Sequence, residues 1–298
     1  MPAHNGKPDM NKWNLIIDVA QCENCNNCVL AAKDELVGNE FPGYSAPHAP
    51  QGTGVIRIER VTRGSTPMVD AAYLPRMCNH CDDAPCQKVG DAGAVTQRPD
   101  GIVLFDPVKA KGRRDLVAAC PYGAIVWNEA LQLPQTWFFD AHLLDGGWKE
   151  PRCVSVCPTS AIQALKISDE DMASKVEQLG LRSLNPEWKT RPRIYYRNLD
   201  RFDQLFVGGS AVSDVAGIVN CCADAEVILQ HDGRDIARTK TDDFGDFKFD
   251  GLAPGSGVYN IMVDHPSAGS ARLKVSIFET SVYLGNIELA SSFATSSL

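Results

Sequence analysis

The 298-residue chain has no run approaching the roughly twenty apolar residues that a membrane-spanning helix needs, so attachment to a bilayer would have to come through another subunit. It also lacks a basic stripe. The formal charge is -8, the pI is near 5.3, and charges of both signs are interspersed, which argues against nucleic acid or an anionic membrane surface as a partner. The opening segment MPAHNGKPDMNKWNLIIDVAQC has no apolar core, no twin arginine and no small-residue cleavage site, so the expected location is cytoplasmic. An even set of cysteines is missing too. There are eleven, nine of them before residue 160, a distribution that fits metal ligation far better than a disulfide framework.

Cys22, Cys25 and Cys28 in CENCNNC form a C-x2-C-x2-C run, a tight loop able to offer three thiolates to three irons of a 4Fe-4S cubane. CNHCDDAPC supplies a second triple, Cys78, Cys81 and Cys86. Each cubane needs a fourth sulfur, which in two-cluster ferredoxins comes from a distant Cys followed by Pro. Two such dipeptides are present, Cys120-Pro121 and Cys157-Pro158. The simplest assignment is nested: Cys157 completes the Cys22/Cys25/Cys28 site, and Cys120 completes the Cys78/Cys81/Cys86 site. Zinc is the competing reading, because CxxC pairs also build zinc ribbons, but a four-ligand zinc site would leave the third sulfur of each triple unused. Cys153, Cys221 and Cys222 remain, and they read as thiols packed like small hydrophobes. His48, His80, His142, His231 and His265 read as surface or packing residues, and no catalytic residue is expected in this chain.

The texture changes along the chain. Up to about residue 165, short apolar runs such as Leu15-Ile17, Val55-Ile58 and Ile102-Phe105 alternate with Gly-, Pro- and Asn-rich turns, as expected of small sheets and short helices around inorganic cores. SDEDMASKVEQLG, from Ser168, reads as a helix capped by Ser168 and ended by Gly180. TRPRIYYRNLDRF, Thr190 to Phe202, reads as a basic and aromatic strap across the cluster region or against a partner. VGGSAVSDVAG then reads as a linker. Beyond it come period-two strands at Ala225-Leu229, Phe247-Phe249, Tyr259-Val263, Leu273-Ile277 and Val282-Leu289, separated by the turn signals HDGRD, TDDFGD and LAPGSG. The expected class is α+β: an iron-sulfur domain over 1–207, then a small antiparallel β-sandwich over 208–298 ending in a disordered tail, SSFATSSL.

IDVAQCENCNNC, NEFPGY, CNHCDDAPC, DGIVLFDP, CPYGAIVWNEA, PRCVSVC and RPRIYYRNL resemble the iron-sulfur subunits of molybdopterin oxidoreductases, whose tandem ferredoxin repeats show the same nested pairing. The C-terminal TDDFGDFKFDGL, in a module similar to transthyretin-like and carboxypeptidase-regulatory-like domains, narrows the likeness to subunits of transhydroxylases acting on phenols. The resemblance implies a large catalytic partner carrying a molybdenum bis-pterin cofactor, with heterodimers able to assemble further. It implies hydroxyl transfer or hydroxylation of polyhydroxybenzenes on that partner. The alternatives are an electron-transfer subunit of a respiratory molybdopterin oxidoreductase, or a structural and assembly module. The sequence departs from the four-cluster pattern at Ala32, Trp137 and Asp140, where the family has cysteines that share one cluster with the counterpart of Cys153. Gly90 and the absence of a triple just before Cys120 remove a further one, which leaves two clusters.

Overall fold

The structure, a computed structural model, describes residues 11–52 and 54–290; the expected tail SSFATSSL and the first ten residues lie outside the described residues. The chain divides into two compact units. One holds the residues up to Arg60 together with Tyr73–Leu199, the other Val61–Ala72 together with the chain from Asp200 onward.

Along the first unit run β1 (Lys12–Asp18), α1 (Asn27–Leu36), the stem of a hairpin made by β2 (Arg57–Ser65) and β3 (Met68–Arg76), α2 (Pro85–Val89), β4 (Val95–Gln97), β5 (Val103–Phe105), α3 (Asp115–Ala119), β6 (Val126–Asn128), β7 (Leu133–Gln135), α4 (Ala141–Asp145), α5 (Arg152–Ser155), β8 (Ile162–Ile167), α6 (Asp169–Leu179) and β9 (Ile194–Arg197). β1 is the centre of a three-stranded sheet, antiparallel to β8 and parallel to β9, and its middle residues are buried as a strand covered on both faces requires. α6 covers one face through a small core of Ile16, Met172 and Leu181. Its limits are those the sequence predicts: the Ser168 hydroxyl accepts the Asp171 N–H at 3.0 Å, and Gly180 closes the helix at φ 59°. β4–β5 and β6–β7 are short antiparallel hairpins.

The second unit continues with α7 (Asp200–Asp203), β10 (Leu205–Val215), β11 (Ile218–Cys221), β12 (Glu226–His231), β13 (Arg234–Lys240), β14 (Asp246–Leu252), β15 (Gly257–His265), β16 (Gly269–Ile277) and β17 (Val282–Glu288). One sheet has the antiparallel order β13-β12-β15-β16. In the other, β10 is bordered by β14 and β11 along one edge and by β17 along the opposite edge. The two inner faces share one core, with Val207, Phe247 and Ile287 meeting Val227, Ile261 and Val275.

Three expectations need correction. The sandwich is not wholly antiparallel, because β10 and β17 run parallel. The expected linker is instead β10, buried over its first eight residues, so the boundary expected at residues 207 and 208 falls inside a strand. Its glycines are there for close approach and not for flexibility. A Cβ on Gly208 would collide with Met68 Sδ and come within 2.8 Å of the Phe247 carbonyl oxygen, and one on Gly209 would lie 3.0 Å from Ile287 Cδ1. β13 was hidden by its polar composition, which suits an edge strand; Asp232 and Gly233, at φ 50° and 75°, make the tight turn that leads into it.

Asp70 in the hairpin tip is gripped by Arg63, by Arg201 at 2.8 Å and by Lys248 at 3.1 Å, while Arg63 also reaches Asp250 at 3.0 Å. Burial alone would raise the Asp70 carboxyl, but the hydrogen bonds from Arg63, Lys248 and Arg201 overcome it and hold it at about 2. An unfolded aspartate titrates at about 3.9, so this stabilisation is complete above about pH 4 and is lost as the pH falls towards 2. Asp70→Asn should lower stability by about 1–2 kcal/mol at neutral pH, allowing for solvent screening. In urea unfolding, the gap from wild type should have narrowed markedly by about pH 2; a gap unchanged by acid contradicts this account of the cluster.

Candidate metal centres

The two cysteine triples are presented by the same local device used twice. In each, the residue two places after the first cysteine adopts the left-handed conformation, Asn24 at φ 57° and His80 at φ 45°. That turn aims its own backbone N–H at the first thiol, Asn24 at Cys22 and His80 at Cys78. The third cysteine of each triple lies in the first turn of a helix, Cys28 in α1 and Cys86 in α2. The fourth thiols repeat a device as well. Cys120 directly follows α3 and Cys157 closely follows α5, each is followed by proline, and the turns close at Gly123, φ 60°, and Ser160, φ 55°. Ala124 N–H points at Cys120 Sγ from 3.4 Å.

The structure brings these eight thiols together as two separate quartets, and all eleven cysteines are free. Cys28 is pushed up to about 12, first by burial, then by Cys22, with Cys25 and Cys157 adding to it and the Val29 backbone N–H opposing. Cys22 is raised by burial, with Cys157 and Cys25 among its neighbours. In the other quartet Cys78, Cys81 and Cys86 are each pushed up to about 12, first by burial and then by one another and by Cys120. Cys78, Cys81, Cys86 and Cys120 line one cavity, together with His80, Val103, Phe105 and Ile125. Among the described residues no three Cys, His, Asp or Glu side chains gather tightly enough to share one ion. Thiols ringing a cavity suit a body with one iron per sulfur. Buried thiols at about 12 become thiolates only beside positive charge, which iron supplies, and N–H groups aimed at sulfur are what a cluster's ligands accept. The donor set therefore fits 4Fe-4S clusters. The two cradles differ in access: Cys25 is exposed, whereas Cys78, Cys81 and Cys86 are all buried.

Distant charges close each quartet. Arg152, at the start of α5, binds Glu35 and, at 2.8 Å, Asp34, both on α1. His142 adds a 2.8 Å bond to Glu35, and together these hold the segment bearing Cys157 against the helix bearing Cys28. Arg113, just before α3, binds Asp91 and, at 2.9 Å, the Val89 carbonyl, tying Cys120 to the end of α2. Arg57 caps the carbonyls of Tyr122 and Gly123 at 3.1 and 2.9 Å. The strap contributes β9 and, ahead of it, Arg193, which grips Asp82 at 2.6 Å and Asp169 at 2.8 Å. Backbone bonds from Asp82, Asp83 and Arg193 stitch the strap to the second triple's loop. These pairings join residues 22 to 118 positions apart and leave no local pattern, which is why sequence reading missed them.

At Trp137 and Asp140, where the sequence was expected to depart from the family pattern, packed side chains fill the space. Trp137 and Phe139 stack at 4.9 Å, fully buried. Asp140 accepts from Trp137 Nε1 at 3.1 Å and from the Arg152 backbone at 2.8 Å, so both carboxylate oxygens are engaged. Cys153 is buried beside it and raised by burial, by Asp140 and by Cys28 and Cys157. Cys222 sits in the sandwich core, while Cys221 is exposed at an edge strand rather than packed. Burial lowers His48 to about 4, and burial with Arg193 lowers His80 to about 3.

The 4Fe-4S dicluster domain family matches residues 69–167. The pyrogallol hydroxytransferase small subunit of Pelobacter acidigallici is 43% identical over 286 residues, 94% of this chain and 100% of that protein. One subunit of the tetrathionate reductase of Salmonella typhimurium is 32% identical over 203 residues, 66% of this chain and 76% of that protein. Among solved structures, 5-hydroxyisourate hydrolase of Klebsiella pneumoniae matches 28% of this chain and 84% of that chain at 16% identity, with a TM-score of 0.23, too slight a likeness to define a fold.

Two substitutions separate ligands from neighbours. Cys153→Ala should keep the full iron content, and Cys157→Ser should lose up to half of it. Arg152→Ala should mimic Cys157→Ser by loosening the same quartet while sparing the other. Iron and acid-labile sulfide assays on the purified variants read all three; loss of iron in Cys153→Ala contradicts the quartets.

Proposed function

This chain belongs to the family of iron-sulfur small subunits that includes pyrogallol hydroxytransferase, and from that premise we propose that it is the cluster-bearing, non-catalytic subunit of a heteromeric molybdopterin enzyme acting on polyhydroxybenzenes. In this reading Cys22, Cys25, Cys28 and Cys157 hold one 4Fe-4S cluster and Cys78, Cys81, Cys86 and Cys120 hold the second. The molybdenum bis-pterin cofactor and the residues that touch substrate lie on the large partner. The single observation carrying the reading is that the chain-long likeness at 43% identity coincides with two thiol quartets assembled from distant segments.

The clusters would supply single-electron transfer and storage. The chain's own residues present thiolates, offer backbone N–H groups to sulfur, and exclude water from the second cradle. No helix among the described residues is long and apolar enough to cross a membrane. The sandwich has no group assigned to chemistry here and is proposed as docking or structural support.

Hydroxyl transfer between phenolic rings needs no external electron acceptor. The aromatic filling at Trp137 and Phe139 supports that version, because a continuous relay would want a metal there. Respiratory electron transfer is the second reading, favoured by the relative that is by name part of a reductase. Anaerobic mixing of the purified complex with pyrogallol and a hydroxyl-accepting phenol distinguishes them. Hydroxyl transfer should proceed at catalytic rates with both clusters remaining in one redox state. Reduction of the clusters by substrate at the turnover rate contradicts the proposal and favours net oxidation, and a chain isolated without a large molybdopterin partner contradicts both.

A further inference from the structure

His80 sits between the first two cysteines of the second triple's ring and is 1% exposed. Its Nδ1 accepts the Val103 backbone N–H at 3.0 Å and also lies 4.0 Å from Cys78 Sγ; because that N–H can only donate, the ring proton is on Nε2. Nε2 has no hydrogen-bond partner among the described residues. A buried donor left without an acceptor is uncommon and calls for a physical reason. The ring is also held in place: it stands edge-on to Trp137 at 5.6 Å and to Phe139 at 5.4 Å. Neither neighbour offers a nitrogen, oxygen or sulfur acceptor: Trp137 Nε1–H can only donate, Phe139 has no polar side-chain atom, and a ring face would accept only weakly. His80 lines the same cavity as Cys78, Cys81, Cys86 and Cys120.

We propose that His80 donates its Nε2–H to a sulfur of the cluster held in the second cradle and so raises that cluster's reduction potential. This rests on the reading that the cradle holds a 4Fe-4S cluster. A hydrogen bond to sulfur stabilises the more negative, reduced form, and such bonds are among the levers that set cluster potentials. The first cradle has Asn24 at the equivalent turn position, so the two clusters would be tuned apart by this one side chain.

The test uses the full-length chain, purified anaerobically as wild type, His80→Phe and His80→Gln. Iron and sulfide content establishes first that both clusters are present; a wild-type chain without acid-labile sulfide removes the underlying reading together with this one. EPR-monitored redox titration then follows each cluster. His80→Phe should shift the second cluster's equilibrium at least tenfold toward the oxidised form, about 59 mV for one electron, and leave the first unmoved. His80→Gln, whose amide can donate, should recover part of the shift. Unmoved potentials in His80→Phe, or equal shifts of both clusters, overturn the proposal with the clusters intact. Should His80→Phe fail to assemble, pulsed EPR of wild-type protein labelled with 15N-histidine decides: a histidine nitrogen coupled to the reduced second cluster, and absent in His80→Gln, supports the bond, and its absence in wild type overturns it.

Discussion

Thiolates cannot stay charged in a closed, weakly polar pocket without a compensating positive charge. Burial holds three thiols of one quartet near 12, so they would ionise only beside a positive charge, which the proposed cluster would supply. Much of the first unit follows from that constraint. Its loops turn sharply at left-handed asparagine and histidine residues because that geometry turns backbone N–H groups toward sulfur. Four of its helices adjoin a quartet cysteine: α1 and α2 carry Cys28 and Cys86 in their first turns, and α3 and α5 end just before Cys120 and Cys157. Ligand binding of this kind contributes folding free energy directly, so cluster loss and loss of structure should be linked.

The quartets draw on segments far apart in the chain, and they are closed by the same kind of contact. One arginine per site, Arg152 or Arg113, crosses to an acidic pair or a carbonyl next to the partner triple. The strap adds a third anchorage through Arg193, buried among Asp82, Asp169 and Asn14. Guanidinium groups suit this role because their planar fork meets two acceptors at once. At Trp137 and Asp140 the chain packs an aromatic stack and a carboxylate with both oxygens satisfied.

The cysteine spacing made the two groups of neighbouring thiols legible before any coordinates, because two close triples and two Cys-Pro dipeptides stand out in the sequence; that each group holds a cubane is the proposal. The helix from Ser168 was legible from its cap and its terminal glycine. Much less could be read where the deciding contact is remote. β10 resembled a linker because Gly208 and Gly209 carry no side chain, and the reason for that lies in Met68, Phe247 and Ile287 elsewhere in the chain. β13 carried no period-two signal because an edge strand exposes both faces. His80 read as a packing residue, and it is packed; what the sequence could not show is that, among the described residues, its Nε2 has no hydrogen-bond partner.

The central claim is that this polypeptide folds around two iron-sulfide cubes. Mössbauer spectroscopy of the 57Fe-enriched chain, calibrated by metal analysis, tests it most directly. The account requires about eight irons per chain, all in 4Fe-4S environments with matching sulfide. Zinc in the cradles, or iron amounting to a single cluster, would contradict it.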